Sequence, residues 1–422
     1  MYSVNGSFTK DGSGQYKLNG GETIQWRYTT NLGEDLGSDN SSFKSNNVVS
    51  NEAEKGSTIL KVEAKVDKKE AKAEADYKRI LGAVKEAVEK KLTQIVVEPT
   101  VEDKKAEFNK VSIVLEKASI EKVAKEAKVS LKLKTKFGDV KLSKKTLENL
   151  LNEKGNTVTI SVKQNEDNTV SVELKSGLEI LNKIAGGIVV SLPVNDSAVS
   201  SVMVKVEEDN KEQILMKSVG ADKVLSARLD GSAKVKIAQR EVSFNDTSSH
   251  WAKENIEFVS ERDIIKGTKK DEFSPNSRVN RAMLTTILHR FENEEQVEGQ
   301  NYSDVAKEAY YANAALWAKT KGIVSNTDKF EAKEELTREQ IAEMIYNYAK
   351  ASGEDVSNIS KANVQKFEDF SNIEASLQDA VAYCYENGII GGKSETKLDP
   401  KGKTTRDEVS AIIQRYIANS VK

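Results

Sequence analysis

Three arginines near the C-terminal end of this sequence could do the clearest chemistry: Arg281, Arg338 and Arg406, each preceded by a residue able to cap a helix, Asn280, Thr337 or Thr405. Counting from each Arg, apolar residues fall at plus 3, 6, 7 and 10. They are Leu284, Ile287, Leu288 and Phe291; Ile341, Met344, Ile345 and Tyr348; Val409, Ile412, Ile413 and Tyr416. That spacing predicts three helices, each with one apolar stripe. Thr337 with Gln340, and Thr405 with Glu408, have the spacing of a capping box, and Asn280 can cap alone, so each Arg falls at the first helical position. A cation there opposes the helix dipole, an interaction of about 0.3–1 kcal/mol. A guanidinium beside free backbone N–H groups instead makes a site for an anion, a carboxylate or phosphate above all. The plain alternative is an Arg that pairs with a neighbouring acid. Recurrence at the same place in three units favours the ligand.

The elements that must position these arginines also repeat. Eight residues before each Arg lie Phe273, Phe330 and Leu398, and further back come Ile264-Ile265, Ile323-Val324 and Ile389-Ile390. Aromatic-x-Asp opens each unit, ending in Asp246, Asp304 and Asp369, and Trp251, Tyr310 and Ser376 follow at one equivalent position. Self-similarity at a period of roughly 55–70 residues predicts an array of helix–loop–helix units. The segment from Phe244 through Trp251, with Ile264-Ile265-Lys266-Gly267, Phe273-Ser274-Pro275 and Arg281-Ala282, resembles the S-layer homology domain. Three copies span about 244–417.

The resemblance implies one all-α pseudo-threefold unit, with the long second helices packed together and grooves that hold a secondary cell-wall polysaccharide, often bearing pyruvylated N-acetylmannosamine. It assigns the anion-reaching role to Arg281, Arg338 and Arg406. Asp246, Asp304 and Asp369, the aromatics Trp251 and Tyr310, and the loop glycines Gly267 and Gly392 complete the expected ligand-binding set. The copies depart from the pattern unequally. The first has Asn280 and Met283 in its capping positions, the second has Asn326 and Ala332 where the others have Gly and Pro, and the third has Ser376 at the aromatic position. Three unequal grooves are therefore expected.

At 422 residues with net charge −2, the chain has room for several domains and lacks the basic excess of a nucleic-acid binder. A single cysteine excludes a disulfide framework, and Cys384 matches Val259 and Ala318 of the other copies, so it is expected in the core. No run approaches the roughly 20 apolar residues of a membrane span. No signal peptide is visible, which a wall-bound protein requires, so Met1 is read as an internal residue or a truncated start. Residues 1–40, with Gly21-Glu-Thr-Ile-Gln-Trp26-Arg-Tyr28, resemble part of a transcobalamin C-terminal-like β domain, whose Trp26 and Tyr28 are read as core aromatics. Half a β domain leaves an open edge and too small a core, which predicts a poorly ordered or docked segment.

Residues 38–58 read as a linker, and the Lys/Glu/Ala-rich stretch 60–94 as a charged helical spacer with Ile80, Leu81, Val84, Val88 and Leu92 on one face. From Ile95 to about Arg240 the chain is β-rich. Turns are expected at Asn165–Asn168, Asp209-Asn210 and Leu229-Asp230-Gly231, and short helices near Ile120–Ala127 and after Ser143. Its order of elements resembles a module common just before S-layer homology repeats.

The expected whole is a multidomain α+β protein: 1–40 partial β domain, 41–94 linker and helix, 95–241 β-rich module, and repeats at 242–300, 301–360 and 361–422. The two histidines, His250 and His289, have no metal-ligand companions at suitable spacing, and no nucleophile elbow, phosphate loop or dinucleotide fingerprint occurs. The reading is a noncatalytic bacterial surface protein with no cofactor, no nucleic-acid partner and no membrane span, held on the cell wall by an anionic, pyruvylated polysaccharide. Self-association in a surface layer is a further partner reading. The alternatives are a wall-tethered adhesin or ligand-binding protein, and the anchor of a wall-bound hydrolase.

Overall fold

The computed structural model describes residues 56–421 apart from 195–199, 222, 293–295, 326–327, 355 and 357–358. Before residue 56 it describes only the backbone of the short strands Tyr2–Val4, Ser7–Phe8, Ile24–Trp26 and Val48–Val49. The first of these pairs with the next two. The readings made for Trp26, Tyr28 and the linker otherwise lie outside the described residues, as does Asn326.

The N-terminal part is dominated by a mixed sheet that divides at one long strand. Within Ser57–Asp67, residues 57–63 pair in parallel with Gln94–Thr100 and residues 64–67 pair antiparallel with Glu70–Ala75. From Gln94–Thr100 the sheet continues through Ser130–Leu133, Asp139–Leu142, Ile188–Pro193 and Val224–Leu229 to Ser218–Ala221. From Glu70–Ala75 it continues through Lys110–Glu116, Thr157–Gln164, Val170–Ser176, Ala233–Gln239 and Ser201–Val206 to Glu212–Ile214. Helices α1 (Tyr77–Glu89), α2 (Lys117–Lys122, continued as one π turn) and α3 (Lys144–Leu150) share a core with both arms. Ser143 caps α3 through the Thr146 amide at 3.1 Å, as its sequence predicts.

Three expectations are corrected here. The stretch before α1 is a β hairpin, not helix: Ala71, Ala73 and Ala75 are buried while Lys72 and Glu74 face out, a period of two. Ala, Lys and Glu favour helix intrinsically, but a buried face admitting only small residues overrides that preference. Helix α1 belongs to the same core and is no spacer, so the β-rich module begins at about residue 57, not 95. The turns at Asn168 and Asn210, both with φ of 60°, join paired strands as expected. Leu229-Asp230-Gly231 instead carries the chain from one arm of the sheet to the other.

The C-terminal part is helical. Short helices α4 (Lys253–Glu261), α6 (Ala312–Thr320) and α8 (Gln378–Glu386) alternate with long ones, α5 (Arg281–Phe291), α7 (Arg338–Ala351) and α9 (Arg406–Ser420). Helix α6 packs on α5, α8 on α7 and α4 on α9, so each short helix rests on the long helix of another repeat. The apolar stripes predicted on the long helices are buried in one core with these partners, and Cys384 lies in it fully buried. The last aromatics of the stripes meet, with Tyr348 5.6 Å from Tyr416 and 6.1 Å from Phe291 between ring centroids.

Candidate functional site: the junctions between repeats

The residues just before the three long helices tie the repeats into a ring. Val279 N–H donates to Thr404 O at 3.0 Å, Thr404 N–H to Leu336 O at 3.1 Å, and Leu336 N–H to Val279 O at 3.0 Å. These residues are equivalent, each two before its Arg, so the bonds close a three-membered cycle. The caps form as read: the Asn280 carboxamide accepts from Met283 N at 2.9 Å, Thr337 and Gln340 complete a capping box, and Thr405 N–H donates to the Glu408 carboxylate at 3.2 Å.

The helix starts are not open to a ligand, which corrects the expectation of free N–H groups. The Arg281, Arg338 and Arg406 amides donate to Glu334 O, Gly402 O and Ser277 O at 2.9–3.0 Å, and the next three amides donate to Ala332 O, Pro400 O and Pro275 O at 3.1 Å. Each acceptor belongs to another repeat. Only its carbonyl is used, so Ala332 serves as well as proline.

The arginine side chains follow the same cyclic rule. Arg406 donates from Nε to Phe273 O at 3.0 Å and from Nη2 to Lys266 O at 2.8 Å, both in the first repeat. Arg338 does the same to Leu398 O at 2.9 Å and Gly391 O at 2.6 Å in the third. Both are buried. Among the described residues their Nη1 groups have no hydrogen-bond partner, so Nη1 is the donor left for a carboxylate. Arg281 differs: it bonds Phe330 O at 2.6 Å, pairs with Glu334 and lies 3.4 Å from Glu331. In the second repeat Tyr302 O–H has taken the carbonyl, Ser325 O, equivalent to Lys266 and Gly391. For Arg281 the plain alternative of an acid partner is the one realised.

Asp246, Asp304 and Asp369 hold backbone. Their paired carboxylate oxygens accept from Phe273 and Ser274, from Phe330 and Glu331, and from Leu398 and Asp399, at 2.7–3.0 Å. The second residue of each pair is left-handed, with φ of 54–58°, so the carboxylate fork stabilises a strained turn. Burial raises the Asp246 and Asp304 carboxyls, but the N–H bonds outweigh it and both titrate below their ordinary 3.8. A depressed folded value contributes stability above the unfolded pKa, and that stability is lost as pH falls through the folded one. The repeat unit should therefore weaken below about pH 4, and Asp246→Asn should flatten that dependence in urea unfolding followed across pH 2–5.

Gly267 and Gly392 have a steric reason to be glycine. A Cβ on Gly267 would lie 2.7 Å from Lys269 O and from the Phe244 ring, and one on Gly392 would lie 2.4 Å from Ser394 O. Gly392→Ala should cost about 1–3 kcal/mol in equilibrium unfolding by overpacking this turn.

The exposed aromatics stand out. Trp251 is 64% exposed and Tyr310 71% exposed, at the starts of α4 and α6, while Ser376 is exposed at the same place in the third repeat. Trp251 Nε1–H donates to Asp407 at 2.9 Å, which fixes the indole at the start of α9. Asp407 is buried, and its other oxygen has no partner among the described residues. Sequence reading missed Asp407. Its signal was an acid immediately after the Arg, favourable at a helix start, where the first repeat has Ala282. The three junctions are thus unequal. The third and first repeats meet at Arg406, Asp407 and Trp251, the first and second at Arg281 with Glu331 and Glu334, and the second and third at Arg338 with a Glu339–Lys401–Glu374 cluster.

These three junctions coincide with the matches to known families. A model of the S-layer homology domain matches residues 243–282, 301–342 and 366–410. The chain carries three S-layer homology domains. A domain of unknown function, DUF4430, matches residues 1–30. Among curated proteins the chain is similar to the exoglucanase XynX of Acetivibrio thermocellus, at 29% identity over 44% of this chain and 17% of that one. It is similar to the amylopullulanase of Thermoanaerobacterium thermosulfurigenes, at 30% over 42% of this chain and 10% of that one. The surface-layer 125 kDa protein of Lysinibacillus sphaericus matches at 27% over 46% of this chain and 16% of its own length. The chain thus spans under a fifth of each relative, and the hydrolases match it only in the S-layer homology region. S-layer homology domains bind cell-wall polymers, so the triple S-layer homology unit marks this chain as a protein of the cell surface or wall. No described helix is long and apolar enough to cross a membrane.

Proposed function

We propose that the chain is a noncatalytic surface protein anchored by an anionic, pyruvylated wall polysaccharide. The observation that carries this reading is the start of α9: Arg406 keeps one donor unspent there, and Asp407, the next residue, holds the Trp251 indole edge-on and open to solvent. A sugar ring stacks on the indole face while its carboxylate takes Arg406 Nη1–H. The junction of Arg338 offers the cation without the aromatic, and at that of Arg281 the cation is neutralised, so the Arg406 junction binds most tightly.

The test is co-sedimentation of the protein with purified walls, before and after acid removal of the wall polymer. Binding should vanish with the polymer. Trp251→Ala should weaken it by about 2 kcal/mol, some thirtyfold in Kd, with the helical signal intact. Undiminished sedimentation on stripped walls would refute the anchor. The names of the hydrolase relatives support a second reading, in which the same unit tethers a catalytic domain.

A further inference from the structure

Below the repeat ring, a cleft of about 530 Å³ separates the β-rich module from the far ends of the long helices. Ligand sites of roughly 300–1,000 Å³ gather at such domain boundaries. Among the described residues, six lysines and arginines line it against three acids, Asp230, Glu292 and Glu354. Two of the acids are already engaged. Glu292 accepts from Lys217 at 2.9 Å and from Tyr348 O–H at 2.5 Å, and Glu354 accepts from Tyr416 and Tyr383 hydroxyls at 2.7 and 3.1 Å. On the cationic side, Lys183, Arg228 and Arg290 make no ion pair among the described residues. Arg228 and Arg290 are oriented by carbonyls, Gly186 O at 2.9 Å and Ile264 O at 3.2 Å, and Lys183 is exposed. Cations concentrated in a concave, partly desolvated space focus the field on whatever enters.

We propose that this cleft is a second anion site, separate from the repeat junctions, that takes a short stretch of acidic glycan. The rest of the lining decides for a glycan. Asn182 and Ser352 offer hydroxyl-matching groups. Phe291 is the one aromatic among the described lining residues, already packed on Tyr348, so no free slab awaits a nucleobase there. The shared chemistry is a chain of anionic groups, supplied either by uronate carboxylates or by phosphodiesters. Because the walls come from both domains, an occupant would also link the module to the anchor.

The experiment is calorimetric titration of the full chain with trigalacturonate, with a glycerol phosphate oligomer, and with uncharged maltotriose. One anionic probe should bind at one site and weaken about tenfold or more between roughly 20 and 200 mM salt, as unpaired surface charges require. Lys183→Glu, at an exposed position, should weaken it about tenfold, and adding Arg290→Gln should abolish it. Trp251→Ala should leave it unchanged. Binding of the phosphodiester alone, lost in the same variants, also supports the site and identifies its source. Equal binding of maltotriose, no binding of either anion, or full affinity in both charge variants would overturn it.

Discussion

Arg338→Ala and Arg406→Ala are each expected to loosen the whole repeat ring, and not only to remove a contact for sugar. Each guanidinium spends two charge-assisted bonds on carbonyls of another repeat while buried. Bonds to a charged partner contribute about 1.5–3 kcal/mol each, and the abandoned carbonyls stay desolvated, so a loss of about 3–5 kcal/mol per variant follows. Urea unfolding of the helical signal should show the midpoint falling in both. Lysine should not rescue either, because one ammonium cannot reproduce a fork that meets two carbonyls. Arg281→Ala should cost less, since its side chain spends itself partly on exposed Glu331. Unchanged midpoints with lost wall binding would return these residues to a purely ligand-gripping role.

The second large effect lies at Arg262, which fastens the ring to the β-rich module. This side chain is 2% exposed. Nε donates to Ser218 O at 2.7 Å and Nη2 to Ser201 O at 2.9 Å, both in the module, while the guanidinium stacks 3.7 Å over the Phe258 ring. Buried Glu261 lies 3.6 Å away and would lose its nearest cation, keeping only Arg240 farther off. Removing one member of a buried pair costs about 3–5 kcal/mol, and Arg262→Ala should do so. It should also split thermal unfolding into separate transitions for module and ring, with proteolysis between residues 240 and 245. A single transition at the wild-type temperature would show that the two parts are joined by other means.

Much of the repeat unit was legible because its information is local. Caps, stripes and the Arg at the helix start are each set by residues a few positions apart, and all three copies agree. Asn280, Thr337 and Thr405 cap as read, and Cys384 is buried where its repeat position puts it. The hairpin of Ala71, Ala73 and Ala75 was illegible for the opposite reason. Three alanines among lysines and glutamates read as helix until a sheet on either side leaves room only for methyl groups.

The candidate site divides along the same line. Residue spacing alone shows three equivalent arginines that begin helices, and repeats that differ in their aromatics. What those arginines touch is settled by how the repeats pack on one another. A guanidinium serves a free carboxylate and a buried carbonyl with the same donors, and the choice depends on which chain segment lies across from it. Here that segment comes from a different repeat, 49 residues away for Arg281 and 133 for Arg406. Spacing within one helix carries no record of such a partner. It appears once the ring closes.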